Sequence, residues 1–247
     1  SCIQINMIKY DSYNETSNVY DHLMRKIDYK EWGKYLKKIT KPFLKNNPAV
    51  LEIAGGTGKL AEILSKKFPN YLLTDKSCKM LQQSKIKNKI VMDFTTPSVN
   101  QKYDLILCTF DSVNYLLSKK KLLQLFLSVN ELLTQDGIFT FDVSLAKNSI
   151  QHSDESFRKH KFSNHKIIQL SSFNEFSQIH KNEFRFYSEN ILIKKEIHKQ
   201  KIYPFELYFN LINKSGLFVV ECFECFTERK CKPNSKRAQF IVKKNRC

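Results

Sequence analysis

The residues best suited to chemistry lie in a glycine-rich turn, Glu52-Ile53-Ala54-Gly55-Gly56-Thr57-Gly58. This turn follows a short apolar run and precedes apolar residues at helical spacing, so it joins a buried strand to a helix N-terminus. Glycine adopts φ > 0 without steric cost and lets a ligand approach the backbone closely. The helix start leaves unpaired N–H groups that favour an anionic or acceptor-rich ligand group.

Three interpretations of this turn are open from its residues alone. Gly56-Thr57-Gly58-Lys59-Leu60-Ala61 fits the G-x-G-x-x-G/A fingerprint of dinucleotide sites. Glu52 favours S-adenosylmethionine (SAM) instead, because a carboxylate beside the glycines can face the cationic methionine end but would repel a pyrophosphate. The third interpretation is a glycine turn with a purely structural role.

Acidic residues recur at the ends of the predicted strands. Strands that alternate with helices predict βαβ units and a parallel, doubly wound α/β sheet. Ligands of such sheets bind outside the carboxyl ends of the strands, so we expect Glu52, Asp75, Asp93 and Asp111 to share one rim. The predicted strands are Ala49–Ala54, Tyr71–Asp75, Lys89–Met92, Tyr103–Thr109 and Ile138–Val143.

The pattern divides the chain into three parts. Residues 10–46 are aromatic and helical in pattern, so we predict an N-terminal helical lid formed by residues 1–46. Residues 47–145 and 203–247 predict the ligand-binding core. Residues 160–202 alternate polar and apolar positions, so we predict an antiparallel β cap over the ligand edge, formed by residues 146–202. The predicted cap strands are Lys166–Ser172, Glu175–Tyr187 and Ile191–Lys199, and the core ends in a strand pair, Leu217–Phe226 and Ala238–Lys243.

Charge and composition leave two classes of partner open. The chain of 247 residues carries 41 Lys and Arg against 24 Asp and Glu, a net charge of +17. Such a charge is compatible with a nucleic acid or another anionic partner. It is spread over both halves of the chain, which also fits lysines that are merely solvated. The strongest local run is Arg229-Lys230-Cys231-Lys232-Pro233-Asn234-Ser235-Lys236-Arg237.

Other features bear on location and metals. No apolar run reaches the 18 residues typical of a membrane helix, and the N-terminal residues lack a signal-peptide pattern, so we expect a cytoplasmic protein. Seven cysteines, an odd number, fit reduced thiols. We predict no metal site, because Cys222 and Cys225 would point to opposite faces of one strand.

Over nearly its whole length the chain resembles the class I SAM-dependent methyltransferases, in particular small single-domain bacterial members with a β cap after the fifth strand. The resemblance rests on the glycine turn and on four further motifs. They read Tyr20-Asp21 with Asp28-Tyr29-Lys30-Glu31-Trp32, Asp75-Lys76-Ser77-Cys78-Lys79-Met80-Leu81, Asp111-Ser112-Val113-Asn114-Tyr115-Leu116, and Gly137-Ile138-Phe139-Thr140-Phe141-Asp142.

The resemblance implies a Rossmann-like sheet of seven strands with an antiparallel last strand. It also implies that Asp75 binds the ribose hydroxyls of SAM, that Met80 packs on the adenine, and that Asp93 accepts from the adenine amino group beside Phe94. Ala54 stands where many relatives have glycine. The full predicted cofactor-binding set is Glu52, Ala54, Gly55, Gly56, Thr57, Gly58, Asp75, Lys76, Met80, Asp93, Phe94 and Thr109.

Methyl transfer needs the nucleophile, methyl carbon and sulfur in line, so orientation supplies much of the rate. A separate base is often dispensable for a neutral amine but is needed for a hydroxyl. Our predicted catalytic residues are Asp111, which the resemblance places near the sulfonium, with Tyr115, Tyr20 and His180. His152 is a further candidate base.

The sequence leaves the chemical class of the methyl acceptor open. The main hypothesis is a small molecule, anionic or neutral, methylated on nitrogen or oxygen under the cap by a monomer or homodimer. RNA is the alternative, although the Asn/Asp-Pro-Pro-Tyr/Phe motif of base-amine methylation is absent after the fourth strand. A SAM-binding protein without catalysis is the third hypothesis.

Overall fold

A computed structural model describes residues 27–154, 157–162 and 165–245. Its main sheet has seven strands in the order β10-β11-β5-β4-β1-β2-β3. The cap is a separate four-stranded antiparallel sheet in the order β6-β7-β8-β9. The strands are β1 Val50–Glu52, β2 Tyr71–Asp75, β3 Lys89–Val91, β4 Tyr103–Cys108, β5 Leu133–Ser144, β6 Phe157–Phe162, β7 His165–Asn174, β8 Ile179–Ser188, β9 Ile191–Lys201, β10 Leu217–Glu224 and β11 Arg237–Lys244.

Helices cover the main sheet and link its strands. Among the described residues there are also two short 3₁₀ helices, at Lys41–Phe43 and Ser112–Tyr115. The α-helices are α1 Tyr29–Thr40, α2 Ala61–Leu64, α3 Cys78–Gln82, α4 Lys119–Leu132, α5 Ala146–Asp154 and α6 Phe205–Lys214. In the part of the chain that is described, no helix is long and apolar enough to cross a membrane.

The central strands are buried on both faces, as expected for parallel strands sandwiched between helices. Every residue of β1 and of β4 is buried. After β1 the chain builds β2 and β3 on one side and then returns to place β4 on the other side. This reversal puts a crevice at the carboxyl ends of β1 and β4, where ligands of doubly wound sheets bind.

The last strand runs against its neighbours, which confirms the predicted fold class. β11 pairs antiparallel with both β5 and β10. Because of this reversal, the first residue of β11 lies beside the last residue of β5, in the pair Arg237 and Ser144. The topology therefore delivers an arginine from the distant basic run to the ligand edge.

The cap contains more structure than the sequence pattern predicted. Strand β6 and helix α5 were not predicted, since both are rich in polar residues and lack a clean apolar period. Strand β8 begins at Ile179 rather than at Glu175. The reason is a turn in which Asn174 Oδ1 accepts from the Ser177 backbone N–H, 2.7 Å, and Gln178 adopts a φ of 53°.

Helix α1 packs firmly on one face of the main sheet. Asp28 caps it by accepting from the Glu31 N–H, 2.9 Å. Trp32 and Leu36 are buried in the same apolar cluster as Leu60 and Leu73. Much of the predicted N-terminal lid, including Tyr20, lies outside the described residues.

Candidate active site

The glycine turn forms one wall of a cavity of about 1020 Å³. Ala54, Gly56 and Gly58 all take positive φ, at 54°, 59° and 76°. This backbone exposes the turn to the cavity, which Ala54, Gly55, Gly56 and Thr57 line. The turn is tied to the next strand because the Gly56 N–H donates to Asp75 Oδ2 at 2.8 Å.

Asp75 organises the floor from the end of β2. Its second oxygen accepts from the Ser77 N–H at 2.7 Å, and Ser77 in turn caps α3 through the Met80 N–H. Burial raises the pKa of Asp75, while the two backbone hydrogen bonds oppose the rise. The carboxylate therefore fixes both the glycine turn and the start of α3, and it also lines the cavity.

A second floor cluster follows β3. Asp93 accepts from the backbone N–H and the hydroxyl of Thr95, and Lys76 lies 3.5 Å away. Burial tends to raise the pKa of Asp93, but the Thr95 hydrogen bonds and the Lys76 charge lower it overall. Phe94 and Met80 line the cavity close to these residues and supply apolar surface for a flat ring.

Three residues of the predicted cofactor-binding set do not line the cavity: Glu52, Gly58 and Thr109. Glu52 is buried behind the turn, where its Oε2 accepts from the Tyr71 hydroxyl at 2.8 Å. Gly58 shapes the turn, since a Cβ there would lie 2.4 Å from Ser84 Oγ. Thr109 is buried, and its carbonyl accepts from the Ser112 hydroxyl at 2.7 Å.

An arginine between two acids closes the end of the cavity beyond β4. The Arg237 guanidinium donates to Asp142 and lies 3.3 Å from Asp111 Oδ2. The Asp111 N–H also donates to Asp142 Oδ2 at 2.9 Å. Burial raises the pKa of Asp142 to about 6 and also raises that of Asp111, and the Arg237 charge opposes both shifts. Asp111 has a φ of 48°, so this edge is conformationally strained.

The cap and α5 form the roof, which is polar and rich in imidazoles. His180 is 5% exposed, and its Nδ1 has no hydrogen-bond partner. Burial lowers the pKa of His180, and the nearby His152 lowers it further. The roof residues are Asn148, Ser149, His152, Arg158, His160, Gln169, Ser171, His180, Asn182, Phe184, His198 and Gln200.

The predicted catalytic residues fall into two groups. Asp111, Tyr115 and His180 all line the cavity. Tyr115 lies under the cap, where its ring meets His198 edge-on at 6.4 Å between centroids. Tyr20 lies outside the described residues.

The sequence analysis missed Arg237, His198 and Gln200. Arg237 was counted as part of a basic surface run, and only the antiparallel register of β11 brings it inside. His198 and Gln200 share a face of β9 with the buried Glu196. The alternation of residues along β9 could have grouped Glu196, His198 and Gln200 on one face. It does not show which face of the strand meets the cavity.

The floor suits SAM in the chemistry of its donors and acceptors. Asp75, Asp93 and Asp111 place three carboxyl groups around a crevice that also presents Met80 and Phe94. Carboxylates suit a cationic sulfonium and ammonium and can accept from ribose hydroxyls, while the apolar pair suits adenine. Among the described residues, no group of three or more His, Cys, Asp or Glu could hold a metal ion.

Comparisons with known proteins agree on one family. A family model described as a methyltransferase domain matches residues 20–182. The chain is 27% identical to "Putative methyltransferase GWCH70_2453" of Geobacillus sp. (strain WCH70), over 94% of this chain and 100% of that protein.

Two solved structures extend the likeness to the fold. A SAM-dependent methyltransferase from Clostridium acetobutylicum ATCC 824 superposes with a TM-score of 0.78 and 24% identity, covering 95% of this chain and 99% of that one. SAM-bound CalS10 from Micromonospora echinaspora is an amino pentose methyltransferase involved in calicheamicin biosynthesis. It superposes with a TM-score of 0.70 and 13% identity, covering 96% of this chain and 98% of that one. The crevice at the strand ends, its carboxyl-lined floor and the match over most of the chain identify this protein as a member of the methyltransferase domain family, a class I SAM-dependent methyltransferase.

Proposed function

We propose that this enzyme methylates a nitrogen or oxygen of a small polar molecule held beneath the cap. The observation that carries the proposal is the shared cavity, whose floor suits SAM and whose roof is the cap. A volume of about 1020 Å³ is at the upper end of the roughly 300–1,000 Å³ typical of pockets for one drug-sized ligand. There is room for the cofactor together with a small acceptor.

The chemistry of the roof narrows the acceptor. Its polar side chains are amides, hydroxyls, imidazoles and one arginine, and no carboxylate or lysine of the cap lines the cavity in the described part of the chain. Such groups hydrogen-bond well to hydroxyls and to oxygen-rich or anionic groups. They fit a polyhydroxylated acceptor, with or without an acidic group, and the amino pentose substrate of CalS10 belongs to that class.

The chain's own residues would act mainly by orientation and by exclusion of water. SAM supplies an electrophilic methyl group when it is bound, and Asp75, Asp93 and the glycine turn would hold it. Arg237 holds Asp111 at the border between floor and roof. Tyr115 and the cap then cover the acceptor, which limits solvent near the reacting atoms.

The positive surface charge supports the hypothesis of an RNA acceptor less strongly than the size of the net charge suggests. Within the basic run, Arg229 pairs with Glu224 at 2.9 Å and Lys230 pairs with Glu221 at 2.7 Å. Arg237 is committed to Asp111 and Asp142. Several of the cations that motivated the RNA hypothesis therefore have partners within the protein.

A transfer assay with tritiated methyl SAM tests the proposal. The purified protein is incubated with an extract that has been divided into small-molecule, RNA and protein fractions. We expect label in the small-molecule fraction, and no label when Asp75→Ala protein replaces the wild type. Label confined to RNA or to protein would reject the proposed acceptor class.

A further inference from the structure

Strand β9 places a buried acid beside a histidine that lines the cavity. Glu196, His198 and Gln200 alternate along β9 and so point to the same face. His198 and Gln200 line the cavity. Glu196 is 0% exposed and His198 is 5% exposed. The sheet thus holds a carboxylate and an imidazole together at the roof of the site.

The contacts of the pair resemble those of a base and its orienting group. Glu196 Oε2 lies 3.4 Å from His198 Nε2, and Lys194 Nζ lies 3.4 Å from the other oxygen of Glu196. Phe184 meets the His198 ring edge-on at 5.3 Å between centroids, and Tyr115 meets it from the 3₁₀ helix. Such hydrogen bonds are often long before substrate binds and tighten in the reacting complex.

The position of the pair relative to the reacting atoms follows from its neighbours. Gln200, two residues beyond His198 on the same face, lies near enough to Asp111 that its side chain lowers the pKa of that carboxyl and opposes the rise caused by burial. The strand is fixed there because Asn114 Nδ2 donates to the Lys201 carbonyl at 2.9 Å. His198 therefore lines the cavity from the same strand face as Gln200, whose neighbour Asp111 belongs to the border between floor and roof.

We propose that His198 is the general base of the reaction and that Glu196 is its positioning residue; this rests on the proposed function. The imidazole takes the proton from the acceptor N–H or O–H. The acceptor lone pair forms the new bond to the methyl carbon, and the carbon–sulfur electron pair stays on sulfur. The Glu196 carboxylate accepts from Nε2–H, so it favours the tautomer whose basic lone pair is on Nδ1 and stabilises the imidazolium.

Several titratable groups face the ring besides Glu196. Lys194 shares the carboxylate of Glu196, and Tyr115 packs on the ring from the 3₁₀ helix. His180 lies across from Gln200 on the neighbouring strand β8. Because several ionisable side chains lie in this part of the roof, a test of the base needs a readout specific to His198.

The first test uses full-length protein with ¹⁵N-labelled histidine, saturated with S-adenosylhomocysteine, and needs no acceptor. Imidazole ¹⁵N shifts should show His198 as the Nε2–H tautomer. Glu196→Gln, whose amide can donate or accept, should mix the tautomers. The matched control is Glu183→Gln, a buried carboxyl of the same cap that is paired with Arg185 and should leave the His198 signals unchanged. An identical tautomer in the Glu196→Gln protein would overturn the assignment of Glu196.

The second test uses the acceptor found in the transfer assay. His198→Ala should lower kcat by about 10²- to 10⁴-fold, with unchanged affinity for SAM, and added imidazole should restore part of the rate. His180→Ala should show no rescue. A His198→Ala enzyme with wild-type kcat, or one that imidazole cannot rescue, would overturn the assignment of His198 as the general base. If wild-type protein methylates nothing, the proposed function fails, while the tautomer result still decides the pairing.

Discussion

At the scale of single residues, the site stores strain in its backbone. Ala54, Phe110 and Asp111 adopt left-handed φ values of 54°, 59° and 48° although none is glycine. Such conformations disfavour residues with a Cβ and cluster at functional sites. They shape the two turns, after β1 and after β4, that frame the cofactor floor.

Replacing Ala54 by glycine should relieve part of this strain. The left-handed conformation costs a residue with a Cβ about 1–2 kcal/mol, and glycine's greater freedom in the unfolded chain offsets some of the gain. We expect Ala54→Gly to raise the free energy of unfolding by up to about 1 kcal/mol in urea titrations. The control Ala61→Gly, in helix α2, should lower it; a loss of stability in both variants would contradict the strain argument.

Glu52 should make stability depend on pH. Burial raises its pKa to about 8 from an ordinary 4.5, although the Tyr71 hydrogen bond opposes the rise. Between these values the folded molecule keeps a proton that the unfolded chain releases. Stability contributed by the protonated Glu52 is therefore full below about pH 4.5 and is lost as pH rises towards 8.

Glu52→Gln removes this titration. We expect the wild type to lose up to about 1.4 kcal/mol of unfolding free energy per pH unit in that window through this one group, and the variant to lose less. Denaturant titrations at pH 5, 6.5 and 8 measure the difference. The exposed Glu131→Gln serves as the control, and equal slopes in the Glu52→Gln and wild-type proteins would reject Glu52 as the source.

At the scale of elements, a buried amide ties the cap to the main sheet. Asn114, in the 3₁₀ helix after β4, donates to the Lys201 carbonyl at 2.9 Å and accepts from the Ser144 N–H at 2.9 Å. It therefore joins the end of β5 to the end of β9. These contacts fix the last cap strand, with Gln200 and His198, over the site.

Asn114→Ala should loosen the cap. The substitution removes these hydrogen bonds to the Ser144 N–H and the Lys201 carbonyl, and a buried backbone group left unsatisfied costs about 1–3 kcal/mol. Hydrogen exchange should become faster in residues 146–201, and the unfolding free energy should fall. Asn130→Ala is the matched control, since Asn130 donates to the Ser215 carbonyl at 2.6 Å away from the cap. Cap exchange that rises equally in both variants would contradict this role of Asn114.

Sequence reasoning could find what depends on local pattern. The glycine turn, Asp75 and the Ser77 cap follow from short-range rules, and they lie where parallel strands must end. It could not find Arg237 or His198, because their places depend on the antiparallel register of β11 and on which face of β9 meets the site. It also placed Glu52 on the cavity, since residue order does not reveal that the side chain turns behind the glycines to Tyr71.

At the scale of the whole molecule, the basic run of residues 229–237 lies mostly outside the cavity, since Arg237 alone of its residues lines it. Lys232 and Lys236 are exposed, and Lys230 pairs with Glu221. We expect the triple variant Lys230→Gln, Lys232→Gln, Lys236→Gln to keep the wild-type rate of methyl transfer. Any retention of RNA by the wild type should disappear as salt rises, because such contacts release counterions. A large loss of transfer in the triple variant would instead place the acceptor on this surface.

The most direct test of the account is a calorimetric titration with SAM. The central claim is that the carboxyl-lined crevice at the strand ends, organised by Asp75, is the cofactor site. Wild-type protein should bind SAM with micromolar affinity and should not bind NAD, Asp75→Ala should show no saturable binding, and the control Asp136→Ala should match the wild type. Unchanged SAM affinity in Asp75→Ala, or saturable binding of NAD, would contradict it.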